Sequence, residues 1–399
     1  MTGILEGLKV VDMGLQIAIP AAGAMLADWG AEVIKVEPLS GEQLRGLRRI
    51  QRVDIGIVNP MFHLHNRNKK GLAVDLKTEL GRDILYKLIK ISDVFMSNYE
   101  VSTLKKLKAD YASLSQVNSR LIYCVLTGYG TVGPDKDDKG FDHSAGWARS
   151  GAQYMTGEPG TPAPMQPGSM IDRVSGIQAV AGILAALLHK EKTGKGQELE
   201  LSLYHTAVWA IARYIQTALF GLPLPTHDRT KAGNPLWNPY RAKDDRWFQL
   251  AMQTDVYWPG FCRAIERPDL ENDPRFNNLE TRGQNGEELI RILDKVFASK
   301  NRVDWEKRFK ENDCIYGRVE TPLEVITDPQ ALANDFFSEV DHSAIGKMKL
   351  VNTPVKFRQN PASVKTPAPE VGQHTEEILL DLGYNWDDIS QLKEQKIIL

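Results

Sequence analysis

One carboxylate stands out for where the sequence puts it. Asp172 follows a stretch rich in proline and glycine, Gly157-Glu-Pro-Gly-Thr-Pro-Ala-Pro through Pro167-Gly168. It heads a strongly apolar segment in which Ile177, Val180, Ala181, Leu184, Leu187 and Leu188 recur at helical spacing. A helix of that pattern buries one face against something large. At its start, free backbone N–H groups and the helix dipole favour the charged form of an acid. An ionised carboxylate so placed is ready to attack a carbonyl; the same position also suits a plain capping aspartate.

Other residues capable of chemistry lie upstream. Asn66-Arg-Asn-Lys-Lys-Gly71 sets Arg67, Lys69 and Lys70 just ahead of a strand. Three cations there suit a polyanion such as a phosphorylated ribose, or form a solvated charged loop. Asn98, after the apolar run 94–97, falls at the carboxyl edge of a sheet, where open α/β folds bind ligands. Gly128-Tyr-Gly-Thr-Val-Gly-Pro134 makes a flexible loop at that same edge and leads into Lys139-Gly-Phe-Asp142. The first strand-to-helix turn, Met13-Gly-Leu-Gln-Ile-Ala-Ile-Pro20, is not the Gly-x-Gly-x-x-Gly of dinucleotide folds. It runs into Pro20-Ala-Ala-Gly-Ala24, whose tiny side chains let another backbone or a ligand come close. His63, His65, His205 and His374 lack the helical spacing of a zinc site, and no Gly-x-Ser-x-Gly elbow is present, so no metal is expected.

The elements that must position these groups read as follows. Runs at 8–12, 32–37, 72–75, 94–97 and 121–126 are short apolar strands, alternating with helices such as 78–92. This is the pattern of an open, mostly parallel, Rossmann-like α/β sheet covered on both faces. A strand at 198–203 and a helix to about residue 219 follow the helix 175–192. Pro, Gly and charge crowd 221–234, which reads as a linker. Beyond it lies a smaller α+β unit with a clear strand at 247–252 and helices near 255–266, 286–299 and 303–312. A helix at 328–336, a strand at 349–354 and helices at 374–382 and 386–392 close the chain. The expected division is 1–220 for a large domain, 221–330 for a small one, and 331–399 for a segment returning to the large domain. The chain has 399 residues, 42% hydrophobic and 25% charged, and a formal charge of −2, without the basic field that nucleic acid or a membrane surface requires. Cys124, Cys262 and Cys314 lie far apart, and no basic-then-apolar leader opens the sequence, so a reduced, cytoplasmic protein is expected.

Taken together, these segments resemble the family III CoA-transferases, the group that includes formyl-CoA transferase and carnitine CoA-transferase. The resemblance spans nearly the whole chain. It rests on Leu5-Glu-Gly-Leu-Lys-Val-Val-Asp12, Leu26-Ala-Asp-Trp-Gly-Ala-Glu-Val-Ile-Lys-Val-Glu-Pro38 and Asn68-Lys-Lys-Gly-Leu-Ala-Val-Asp-Leu-Lys77. Gly128-Tyr-Gly130, Lys192-Thr-Gly-Lys-Gly-Gln197, Asp273-Pro-Arg-Phe276 and Val371-Gly-Gln-His-Thr375 extend it.

The resemblance implies that Asp172 is the catalytic nucleophile and that Asp142 is a second acid helping beside it. It implies CoA lying over the carboxyl edge of the sheet, with Leu72, Asn98, Lys139 and Lys105 or Lys106 matching the family's contacts. No cofactor is expected to stay bound; coenzyme A and acyl-CoA come and go as substrates. A ring-shaped protomer interlocked with itself or with a homologous subunit is also implied. Ile17 stands where formyl-CoA transferase has a polar amide, and Arg173 follows the nucleophile where a small residue is common. Arg173 is expected to pair with an acidic substrate or a neighbouring carboxylate, or to point outward. A loop with Trp237 and Tyr240 points to an aromatic or branched acid of the aryl-lactate, 2-hydroxy-acid or benzylsuccinate kind. Two other readings are an α-methylacyl-CoA racemase and a non-catalytic subunit of a heteromeric transferase. Racemisation needs two acid/base groups, and Phe141 stands where racemases carry a histidine.

Overall fold

The computed structural model describes residues 3–50 and 53–399. The chain divides into two compact units. One comprises residues 1–153, 165–223 and 332–399; the other comprises 154–164 and 224–331.

The larger unit is built on six parallel strands: β1 (Lys9–Met13), β2 (Glu32–Glu37), β3 (Lys70–Ala73), β4 (Val94–Ser97), β5 (Ile122–Thr127) and β6 (Gln197–Ser202). Their order is β3-β2-β1-β4-β5-β6. In register, Val10 lies between Val33 and Val94. Most of these strands are buried on both faces, which is why they read as unbroken apolar runs rather than alternating ones. One face is covered by helices α1 (Ala18–Asp28) and α4 (Met170–Thr193). The other carries α3 (Glu79–Lys90) and the C-terminal helices, with Leu85, Leu88, Phe95, Leu379 and Ile389 in one cluster. The short helix α2 (Pro60–Asn66) precedes β3 and is capped by Asn59, whose side chain accepts from the N–H groups of Met61 and Phe62.

Helix α4 does bury one face, which overlaps the expected one in part: Val180 is buried, and Leu184 and Leu187 pack against the same cluster. Ile171, Ser175, Gly176, Ala179, Val180, Ile183, Ala186 and Lys190 turn inward, whereas Ile177 and Leu188 are 48% and 67% exposed. The reason is the neighbour. A Cβ on Gly176 would come within 2.8 Å of the Ala18 carbonyl oxygen, so α4 and the Ala-rich α1 meet backbone to backbone and only small residues fit between them. By length and composition α4 could cross a membrane, yet it is packed here as a core helix.

Two further differences concern strands. The third sheet strand begins two residues earlier than expected, at Lys70. The stretch after residue 336 is an antiparallel hairpin, Phe337–His342 with Gly346–Val351, rather than a lone late strand.

The smaller unit has a three-stranded antiparallel sheet with Trp247–Leu250 between Pro239–Arg241 and Tyr316–Arg318. Its core is aromatic: Tyr240, Phe248, Phe261, Phe297, Trp305 and Phe309 pack on one another.

Candidate active site

Asp172 is the third residue of α4, one step inside the first turn. The residue before the helix, Ser169, has a left-handed backbone (φ 57°) and makes no side-chain cap. Capping comes from a distant residue instead. Asp142 Oδ2 accepts the main-chain N–H of Asp172 at 2.8 Å, so a carboxylate sits on the positive end of the helix. Asp142 opens the wide helical turn Asp142–Ala148 that follows the β5 loop. That turn reaches α4 because residue 146 is glycine; a Cβ there would lie 2.9 Å from Ile171. The loop itself is drawn tight where Gly128 meets Gly140, with a Cβ on either only 2.9 Å from the other residue's Cα.

The electrostatics differ from the simple helix-dipole expectation. Burial, and then the Asp142 carboxylate, push Asp172 up to about 7, with only partial relief from Arg173. Burial also raises Asp142, opposed first by the Asp172 N–H and then by His143. The buried Asp142 carboxylate therefore disfavours ionisation of its half-buried neighbour Asp172. Asp172 is a carboxylate that ionises near neutrality, more basic than an ordinary aspartate and correspondingly more nucleophilic. Asp142 Oδ1 is buried without a hydrogen-bond partner, and His143 Nδ1 lies 3.8 Å from it. Arg173 folds back along its own helix and donates to the carbonyls of Gly168 and Ser169, both at 3.2 Å; it tacks down the loop instead of pairing with either acid.

Two cations of the basic cluster, Arg67 and Lys69, are turned inward, which corrects their reading as a phosphate site or a solvated loop. Arg67 clasps Asp28, with Nη2 2.7 Å from Oδ2, and also donates to the Leu64 carbonyl. Lys69 Nζ donates to Asp12 at 2.6 Å, to the Pro20 carbonyl and to Asn66 Oδ1. Arg67 and Lys69 are each 3% exposed, so neither reaches a ligand in this structure. Buried Asp12 and Asp28 need counter-ions, and these two cations supply them. Lys70 pairs at the surface with Glu32 and Glu377.

Asn98 lies at the carboxyl edge of β4, as the sequence implied, and its amide is fully engaged there. Its Oδ1 accepts the Leu15 N–H at 2.7 Å and its Nδ2 donates to the Leu15 carbonyl at 2.9 Å, clamping the turn between β1 and α1. Lys35 and Glu42, which sequence reasoning missed, hold the same turn. Lys35 donates to the Gly14 carbonyl, Glu42 accepts the Gln16 N–H, and the two pair at 3.2 Å with no exposed side-chain surface. The one available signal was a lysine inside the otherwise apolar run 33–36. Leu72 is fully buried in β3 and can offer a ligand only main-chain atoms. Lys105, Lys106 and Lys139 are exposed, on segments that follow β4 and β5. Tyr240 is wholly buried, its hydroxyl donating to the Pro235 carbonyl; it is a core residue and lines no substrate site, whereas Trp237 is half-exposed.

A doubly covered parallel sheet, with an acid pair at the head of a helix beside its carboxyl edge, describes a definite class. Residues 5–375 match the family model described as CoA-transferase family III. The chain is 38% identical over 399 residues to the (R)-2-hydroxy-4-methylpentanoate CoA-transferase of Clostridioides difficile, covering 99% of each. It is 32% identical to the cinnamoyl-CoA:phenyllactate CoA-transferase of Clostridium sporogenes, covering 100% of this chain and 98% of that one. A crystal structure of a CAIB/BAIF family protein from Brucella suis superposes with a TM-score of 0.84 at 26% identity, covering 96% of this chain and all of that one. The chain belongs to the family III CoA-transferases. It is an enzyme whose substrates are CoA thioesters.

Proposed function

We propose that this enzyme moves CoA from an acyl-CoA donor to a branched or aryl 2-hydroxy acid through covalent intermediates on Asp172. The observation that carries the reading is the acid pair: a half-buried Asp172, raised to about 7, with its own N–H held by Asp142. The substrate class is supported by the two relatives named for 2-hydroxy-4-methylpentanoate and phenyllactate. Lys105, Lys106 and Lys139 are exposed and in this reading meet CoA phosphates.

The chemistry needs no ATP, because a thioester and a carboxylate exchange for another thioester and carboxylate. An oxygen of ionised Asp172 attacks the donor thioester carbonyl and expels CoA thiolate, leaving an acyl-aspartyl anhydride. The thiolate then attacks the aspartyl carbonyl, and the donor acid departs as its carboxylate. What remains is an aspartyl-CoA thioester. The incoming carboxylate attacks that carbonyl and releases the thiolate once more. Thiolate finally attacks the new acyl carbonyl, returning Asp172 as a carboxylate. Each addition develops an oxyanion, and each N–H donor aimed at it contributes about 3 kcal/mol.

A second copy of this chain completes the assembly in this reading, two protomers interlocking in the cytoplasm. The helix Ala212–Leu219 has no buried residue within one chain, and Trp209, Leu219 and Phe220 are 69–74% exposed around it. An apolar face of that size is a partner surface. The mechanism is tested with Asp172→Ala, which should abolish transfer while remaining folded, and by hydroxylamine trapping with acyl-CoA. Modification of a carboxylate other than Asp172, or turnover with no covalent adduct on its peptide, overturns the proposal.

A further inference from the structure

Asp142 grips the main chain of the nucleophile with one oxygen and leaves the other unmet. Its Oδ2 accepts the Asp172 N–H at 2.8 Å, whereas Oδ1 is out of reach of solvent and has no hydrogen-bond partner. A carboxylate held by one oxygen can swing about its own axis, and a buried oxygen without a donor leaves the charge poorly supported. Burial pushes Asp142 up; the groups that oppose it are the Asp172 N–H, then His143, the Ile171 N–H and Arg173. Both N–H groups belong to the α4 main chain, and Arg173 turns its Nη1 to the carbonyls of Gly168 and Ser169. The side chain left beside Oδ1 is His143.

The local geometry suits it as a donor. Nδ1 of His143 lies 3.8 Å from Oδ1, about 1 Å beyond hydrogen-bond distance. The main chain around it is pinned. The Phe141 N–H donates to Ser144 Oγ at 3.0 Å, the Ala145 N–H donates to the Phe141 carbonyl at 2.9 Å, and Gly146 abuts Ile171. The imidazole is not pinned: its side chain is 40% exposed, and no hydrogen bond holds it among the described residues. A small turn of that side chain closes the gap while the helical turn stays where it is. Contacts of this length in a free enzyme commonly tighten in the substrate complex.

We propose that His143 is a positioning residue for the transfer reaction, whose Nδ1–H closes on Asp142 Oδ1 in the substrate complex and locks the carboxylate that caps Asp172. Gripped at both oxygens, Asp142 cannot rotate away from the Asp172 N–H. The first turn of α4, and the nucleophile on it, then keep one orientation through the successive attacks. A neutral imidazole with its proton on Nδ1 suffices as donor. His143 touches no reacting atom and acts through Asp142. The inference rests on the acid pair proposed above and names what steadies it.

The test uses the full-length enzyme with 4-methylpentanoyl-CoA as donor and 2-hydroxy-4-methylpentanoate as acceptor. His143→Phe keeps a ring and removes both nitrogens; His143→Asn puts an amide nitrogen where Nδ1 was. In His143→Phe, kcat should fall about tenfold or more with the KM for acyl-CoA and the Tm unchanged, and His143→Asn should restore most of it. In an Asp142→Asn background, His143→Phe should add no further loss, because the acceptor charge it serves is gone. An undiminished kcat in His143→Phe, an Asn variant as slow as the Phe one, or an equal further loss in the Asp142→Asn background overturns the assignment. Should this substrate pair not turn over, amide hydrogen exchange at Asp172 with coenzyme A bound decides: faster exchange in His143→Phe than in native enzyme or His143→Asn supports the lock, and equal exchange in all three overturns it. A full rate in Asp142→Asn alone sinks the acid-pair reading itself.

Discussion

The acid pair makes a quantitative demand on the pH profile. Asp142 Oδ2 sits 2.8 Å from the Asp172 nitrogen, which by covalent geometry leaves the two carboxylates roughly 6 Å apart. At an effective dielectric of about 20, two unit charges at that distance repel by about 3 kcal/mol. Solvent reaching the part-exposed Asp172 weakens the repulsion, leaving about 1.4 kcal/mol, or about one pH unit. Asp142→Asn removes the charge and keeps an oxygen for the Asp172 N–H, so the cap survives. The sign follows directly: without its neighbour's charge, Asp172 loses its proton more easily and is ionised at lower pH. In native enzyme, kcat/KM for acyl-CoA measured from pH 5 to 9 should rise to a plateau with its midpoint at about 7. The variant's limb should move about one pH unit to the acid side, with a lower plateau because a less basic carboxylate is a weaker nucleophile. A native profile flat across pH 6–8, or a variant limb that stays put or moves to higher pH, refutes the coupling.

Three further outcomes follow from the packing. Lys69→Met leaves Asp12 buried and unpaired, and urea unfolding should report a loss of about 3–5 kcal/mol; an unchanged midpoint would contradict a structural role. Lys139→Glu and Lys105→Glu should raise the KM for acyl-CoA several-fold, more at low than at high salt, with no change in Tm. Placing a charge on the exposed apolar face, as in Phe220→Asp, should destabilise the assembled enzyme and lower its Tm; an unchanged Tm would move the interface elsewhere.

Much of the large unit could be read because parallel strands buried on both faces announce themselves as short apolar runs, as at Val94–Ser97 and Ile122–Thr127. The special place of Asp172 was also visible, in the abrupt change from a proline-rich loop to an apolar helix. Other features depend on long-range pairing. Arg67 and Lys69 looked like a ligand site because the acids that claim them, Asp28 and Asp12, lie 39 and 57 residues away in sequence. Tyr240 looked like a pocket wall, since a buried aromatic and a lining one share the same letter. The inward face of α4 was read only in part because it is set by the small side chains of α1, and close approach rewards glycine and alanine over leucine. The rise in Asp172 comes from burial and from Asp142, thirty residues upstream, neither of which local sequence reveals.

The crowding of negative charge at the head of α4 also has a temporal meaning. Above about pH 7 the free enzyme holds Asp172 in the form its surroundings tolerate least, and in the proposed cycle acylation of that oxygen removes the charge. In that proposed cycle the species with the aspartyl group bound to acyl or to CoA would be free of the repulsion between the two acids. A catalyst working by that cycle would rest loaded between its two substrates, which would make exclusion of stray water from the thioester its chief burden.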